Sequence, residues 1–214
     1  MNTVMVFAAH SDDEIIGCGG TIAKFAEEGK KVIVVIFTSG ELSSPWLKRD
    51  VIVSNREKES EKIARYIGAD TVVNLGFKDG NLKNIVGESE IQNQIKDLLV
   101  KYGPESVFVH SKYDRHPGGD HKAVNSIVLD SVERFDPQKK ISTFIYEVWN
   151  ISNEVSPRYY VDISKTFDKK VKAMRMFKSQ WLSVGLLLVP VFVRAKISGF
   201  HSGNKYAERF YKIR

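Results

Sequence analysis

His10, Asp12, Asp13 and Glu14 put one imidazole and three carboxylates within five positions near the start of the 214-residue chain. So dense an acidic cluster folds at lowest cost around a cation, and an imidazole beside carboxylates is a donor set for a divalent metal. A second centre lies at His116-Pro117-Gly118-Gly119-Asp120-His121. One carboxylate and two imidazoles on a metal leave a position open for water, which is a hydrolytic zinc arrangement, and a spare carboxylate can then act as base. The competing reading makes the first acids and Asp120 helix-terminus charges and the histidines exposed loop residues. What separates the two readings is whether the clusters meet in space.

The surrounding elements bear on that question. Val4 to Ala8 is a short unbroken apolar run, suited to a strand buried on both faces of a parallel sheet, and His10 follows its carboxyl end. The spacing then predicts loop glycines at 17–20, a helix from Thr21 to Glu28 and a strand from Lys31 to Phe37. After a loop from Ser43 to Asp50, a helix is expected from Val51 to Ile67 and a strand from Thr71 to Leu75. Another helix is marked by Ile91, Ile95 and Leu99, then a strand from Val107 to His110 and a helix through Ala123 and Ile127. Ile141 to Tyr146 and Tyr159 to Val161 read as strands, with Ser164 capping a helix to about Lys178. This alternation predicts an α/β, Rossmann-like, doubly wound and mostly parallel sheet with helices on both faces. Both chemical clusters then fall at the carboxyl ends of strands, where such sheets bind ligands.

Composition narrows the class. With 43% hydrophobic and 27% charged residues, the chain is expected to form a single domain over residues 1–214. The net charge of +6 comes from scattered Lys and Arg, so no nucleic-acid partner is expected, although phosphate-bearing substrates or anionic lipid headgroups would be favoured. Cys18 is the only cysteine, and no basic leader precedes the first strand, so a cytoplasmic location is expected. The apolar stretch from Trp181 to Val193 contains Gly185 and Pro190 and falls short of the ~20 residues a bilayer demands. It reads as a core segment or subunit interface, with no transmembrane segment.

The motifs together resemble the zinc-dependent N-acetylglucosamine deacetylase superfamily, called PIG-L or LmbE-like, whose first motif is A-H-P-D-D-E and whose second is H-P-D-H. Here they stand as Ala9-His10-Ser11-Asp12-Asp13-Glu14 and the His116 to His121 segment, the first with Ser11 in place of proline and the second longer by two residues. Arg56-x-x-Glu59, Phe77-Lys78-Asp79, Ser179-Gln180 and Tyr206-Ala207-Glu208-x-Phe210 match further family features, so the resemblance runs from about Val4 to Phe210.

The resemblance implies that His10, Asp13 and His121 bind Zn2+, a site that would also accept another divalent transition metal. It implies that Asp12 takes a proton from the attacking water. Protonated His116, oriented by Asp120, would stabilise the oxyanion, and His116 or Asp12 would protonate the departing amine. Arg56 and Asp79 would contact the substrate; a surface pairing of Arg56 with Glu59 is the plainer alternative. The implied enzyme is a zinc-dependent N-deacetylase acting on an N-acetylated amino sugar, with a trimer-based homo-oligomer as the expected assembly. The alternative is a non-catalytic sugar- or nucleotide-binding protein on the same scaffold. For the nucleotide version, Gly17 to Gly20 lacks the dinucleotide spacing, and three upstream acids would repel phosphate.

Overall fold

The computed structural model describes residues 2–41, 48–114, 116, 118–149 and 156–214. Most of the expected 43–50 loop, together with Arg115 and Pro117, lies outside the described residues. The strands are β1 (Thr3–Ala8), β2 (Lys31–Thr38), β3 (Thr71–Phe77), β4 (Ser106–His110), β5 (Ser142–Tyr146), β6 (Arg158–Asp162) and β7 (Ala207–Lys212). The helices are α1 (Asp13–Glu27), α2 (Arg49–Ile67), α3 (Leu82–Ile85), α4 (Ser89–Tyr102), α5 (Asp120–Phe135), α6 (Phe167–Met174) and α7 (Trp181–Ser202).

The seven strands form one sheet in the order β3-β2-β1-β4-β5-β7-β6, with β7 antiparallel to both its neighbours. Alternation along β1 builds a core on each face: Val4 and Val6 pack toward α1, α2, α6 and α7, while Met5 and Phe7 pack toward α3, α4 and α5. Strand order reverses between β1 and β4, so the crevice beyond their carboxyl ends is the topological switch point of the sheet. His10 follows one of these strands and His110 ends the other. The sequence-predicted architecture is therefore present, and it brings the two clusters to one place.

Helix α1 begins eight residues earlier than the apolar spacing suggests, so Gly17, Gly19 and Gly20 are helical rather than part of a loop. Their absent side chains explain the misreading. A Cβ at Gly17 would enter the Tyr146 ring, which is fully buried, and one at Gly20 would lie 2.7 Å from Ile163. The bare flank also admits a buried ion pair, in which Lys170 Nζ lies 2.6 Å from Glu208 Oε1. Lys170 donates to the Ile16 carbonyl, while the Glu208 carboxylate accepts the N–H groups of Gly20 and Thr21 at 2.9 and 2.7 Å. Two late parts of the chain thus grip α1 by its backbone.

Three other elements depart from expectation. Helix α6 starts at Phe167 behind Thr166, because the Ser164 hydroxyl is engaged with Asp162 and the Tyr206 backbone. Asp120 occupies the first turn of α5 behind the N-cap Gly119, and its carboxylate reaches out to His10 and the Gly80 N–H. Helix α7 runs for 22 residues, long and apolar enough to cross a bilayer by length and composition. Pro190 does not end it, and Arg194 lies within it, its side chain donating to the Glu147 carbonyl. One face of α7 is nonetheless committed to the protein through Val184, Leu187, Val191, Ala195, Ser198 and Gly199.

Removing one partner of the buried ion pair leaves an uncompensated charge and removes the carboxylate that accepts two helical N–H groups. Glu208→Ala is expected to cost about 3–5 kcal/mol of stability, read from urea denaturation.

Candidate active site

The first motif is positioned by the turn between β1 and α1. The Asp12 carbonyl accepts from Ile15 and Ile16, so Asp13 and Glu14 form the first helical turn, where anionic side chains are favoured. Asp13 Oδ2 is the hub. It accepts the His10 backbone N–H at 2.9 Å and lies 3.3 Å from His10 Nδ1, 3.2 Å from His121 Nε2 and 3.4 Å from His110 Nε2. The two expected clusters therefore converge, and His10, Asp13 and His121 are adjacent.

The donor set fits a divalent cation. Both ring nitrogens of His121 are buried yet lie off any hydrogen-bond direction, despite carboxylates 3.2 Å away. Two ligands on one ion with bonds of ~2.0–2.1 Å stand roughly 3.3 Å apart, close to the separations seen here. Two overlapping donor groups have the required proximity, His10 with His116 and His121, and Asp13 with His110 and His121.

Electrostatics among the protein groups follow from this crowding. Burial alone would depress His10, but Asp120 and Asp13 outweigh it and raise its pKa to about 10. His121 rises to about 9 against burial, through Asp13 and Asp114. Burial first, and then the charge of Asp13, push Asp12 up to about 6, with Arg56 opposing. His116 goes down to about 4, through burial and the neighbouring His121 and His10.

His116 nevertheless stands in the cluster, stacked on His121 with ring centroids 4.4 Å apart, despite the two extra residues of its loop. Asp120, expected to orient His116, instead faces His10, with Oδ2 3.3 Å from Nε2, and accepts the Gly80 N–H at 2.7 Å. The glycine-rich loop turns the start of α5 so that Asp120 bridges the first motif and the turn after β3.

Asp12, His116, Asp120, Arg56 and Asp79 all line one cleft of about 290 Å³, together with Trp149, Gln180 and Ser183. Arg56 is buried and does not make a surface pair with Glu59. Its guanidinium donates to Ser11 Oγ at 3.2 and 3.3 Å and to the Gly40 carbonyl, while Asp79 Oδ1 accepts the Gly40 N–H. Glu59 instead accepts the backbone N–H and hydroxyl of Ser179. Ser11, where the resembled motif has proline, thus supplies an acceptor for Arg56.

Sequence reasoning missed His110, Tyr146 and Asp114 as site residues. His110 Nε2 accepts the Ala9 N–H at 2.9 Å and lies 3.1 Å from the Tyr146 hydroxyl, which itself donates to the Phe7 carbonyl. Asp114 Oδ2 lies 3.2 Å from His121 Nδ1 and accepts the Val148 N–H. The only available signal was position, at the end of β4 and in the loop after it.

The GlcNAc-PI de-N-acetylase (PIG-L) family profile matches residues 5–132. The diacetylchitobiose deacetylase of Thermococcus kodakarensis is 26% identical over 218 residues, covering 96% of this chain and 80% of that protein. The 4-oxalmesaconate hydratase of Pseudomonas putida is 27% identical over 201 residues, covering 84% and 76% respectively. The solved N,N'-diacetylchitobiose deacetylase of Pyrococcus horikoshii, in complex with its inhibitor MPG, superposes with a TM-score of 0.82 at 25% identity, covering 99% of this chain and 84% of that one.

Carboxylates behind a metal-binding imidazole fix its tautomer and basicity. Asp114→Asn retains an acceptor for Val148 while removing the charge beside His121. It is expected to weaken divalent-metal affinity about 10- to 100-fold, measured by chelator competition, with an unchanged circular dichroism spectrum.

Proposed function

The chain belongs to the GlcNAc-PI de-N-acetylase (PIG-L) family, and from that premise we propose that it is a metal-dependent hydrolase that removes the acetyl group from an N-acetylglucosamine-type sugar or glycoconjugate. The observation that carries this reading is the convergence of Asp12 and the His10, Asp13 and His121 donors on one cleft. Those three residues would hold zinc or a similar divalent ion. Bound there, the ion would supply Lewis acidity toward the acetamide carbonyl and a lowered pKa for an attacking water.

The protein's own groups do the rest. Asp12, the cleft carboxylate whose pKa is raised toward neutrality, accepts a proton from water as the new C–O bond forms. His116, at the cleft wall, donates its ring N–H to the developing oxyanion. The proton held by Asp12 passes to the amine nitrogen as the C–N bond breaks, giving acetate and a free amino sugar. Asp120, whose carboxylate faces His10, positions that imidazole. Arg56 and Asp79 clasp Gly40 at the cleft edge, so their part in sugar binding is to fix that loop and present their remaining polar atoms to hydroxyl groups. The whole chain acts as one deacetylase domain, and the lone buried cysteine accords with a cytoplasmic location.

A second reading has one observation behind it, the 27% identity to a hydratase, since hydration of a double bond also begins with an activated water. Acetate release distinguishes the two. Zinc-loaded protein is expected to release acetate from diacetylchitobiose or other N-acetylglucosamine conjugates, to lose activity on chelation and to regain it with zinc. Asp12→Asn is expected to lower kcat by about 10²- to 10⁴-fold at unchanged metal content. Undiminished turnover in that variant removes Asp12 as the base. Water addition to 4-oxalmesaconate, without acetate release from any acetylated sugar, replaces the deacetylase reading with the second.

A further inference from the structure

The face of α7 turned away from the protein is as apolar as the face it buries. Leu182, Leu186, Val189, Val193, Ile197 and Phe200 recur at helical spacing along it, and Leu186, Val189 and Phe200 are 70%, 70% and 85% exposed. Trp181, 71% exposed, stands at the start of this stripe and Phe200 near its end. A contiguous apolar face of this length marks an interaction site.

Its surroundings are predominantly basic, with Asp168 the one acid on α6. From Lys169 to Ala207 the sequence contains eight Lys or Arg residues and no Asp or Glu. Of these, Lys172, Arg175, Lys178, Lys196 and Lys205 are exposed. The acids that reach this region from other elements are already engaged: Glu208 with Lys170, Glu147 with Arg209, Glu27 with Lys169 and Glu59 with Ser179. At the amino end of α7 a groove of about 400 Å³ is lined by Phe177, Trp181 and Leu188, with Arg175 and Lys178 also lining it. At the other end, the amino groups of Lys196 and Lys205 lie 4.4 and 5.5 Å from the Tyr206 ring centre.

We propose that α7 docks lengthwise on a bilayer surface bearing anionic lipid headgroups, with its apolar stripe in the acyl boundary and its flanking cations on the phosphates. An interfacial helix combines these features, an apolar face with aromatic residues and a basic border. Spanning is ruled out by the opposite face, which is packed into the protein and includes Arg194 bound to the Glu147 carbonyl. A second copy of the chain is a poorer occupant, because α6 and α7 together offer one acid, Asp168, against the cations that border the stripe, so two such faces would bring mostly like charges together. The docking does not depend on the deacetylase reading.

The full-length protein is tested by co-sedimentation with vesicles of phosphatidylcholine alone and of phosphatidylcholine containing 30% phosphatidylglycerol, at low and high salt. Binding is expected to the anionic vesicles only, to weaken with salt, and to blue-shift tryptophan fluorescence in a manner lost with Trp181→Phe. Arg175→Gln and Lys178→Gln are each expected to lower partitioning about fivefold. Leu186→Glu with Val193→Glu, both at exposed positions, is expected to abolish binding while leaving the melting temperature unchanged. Absence of binding to anionic vesicles at low salt overturns the proposal, as does binding that the Leu186/Val193 double variant retains. A concentration-dependent dimer dissolved by that double variant, without vesicle binding, overturns it in favour of self-association.

Discussion

The structure depends on a close approach of charged side chains to the backbone of α1. A helix with ordinary side chains at 17, 19 and 20 could not let Tyr146, Ile163 and the Lys170–Glu208 pair reach it. Gly residues in a helix cost roughly 1 kcal/mol each relative to Ala, so this bare flank is a stability loss that packing and the charge-assisted bonds must offset. The return is positional. The amino end of α1 carries Asp13, and a helix gripped at its middle cannot rotate that carboxylate away from the three histidines around it.

The site is best understood as a charge-balance problem solved by geometry. Asp12, Asp13, Asp114 and Asp120 stand among His10, His110, His116 and His121. The two carboxylates of one dipeptide part company. Asp13 turns inward to accept a backbone N–H and face imidazoles, and its pKa falls despite burial, while that of Asp12 rises. The two carboxylates titrate in opposite directions because consecutive residues at a helix start project into different surroundings.

Much of this was legible in the sequence. The buried strands announce themselves as apolar runs, and their parallel order places His10 and the His116 to His121 loop together without reference to any side-chain contact. What escaped were features whose signal is tertiary. Gly17 to Gly20 read as a loop because their helical role is visible only beside Tyr146 and Glu208. His110 read as a strand end, since the chemistry of one imidazole depends on what the next strand and helix present to it. The apolar stretch from Trp181 to Val193 read as thirteen residues, yet the helix continues through Arg194, whose head folds back onto a carbonyl, to Ser202. Asp120 read as the partner of His116, whereas its carboxylate faces His10 and the Gly80 N–H, a direction set by the turn at the start of α5.

The antiparallel strand β7 has a consequence for the order in which the molecule is assembled. Strand β6 joins the sheet only through β7, and β7 also carries Glu208. A nascent chain that has emerged through α5 can pair β3, β2, β1 and β4, and can bring His10 near His121, but α1 is still ungripped. Residues 207–212 then insert between two strands that end at Tyr146 and Asp162 and lock the first helix in the same step. The oldest chemical motif of the chain is thus held in place by one of its youngest segments, and productive geometry arrives late in synthesis rather than piecemeal.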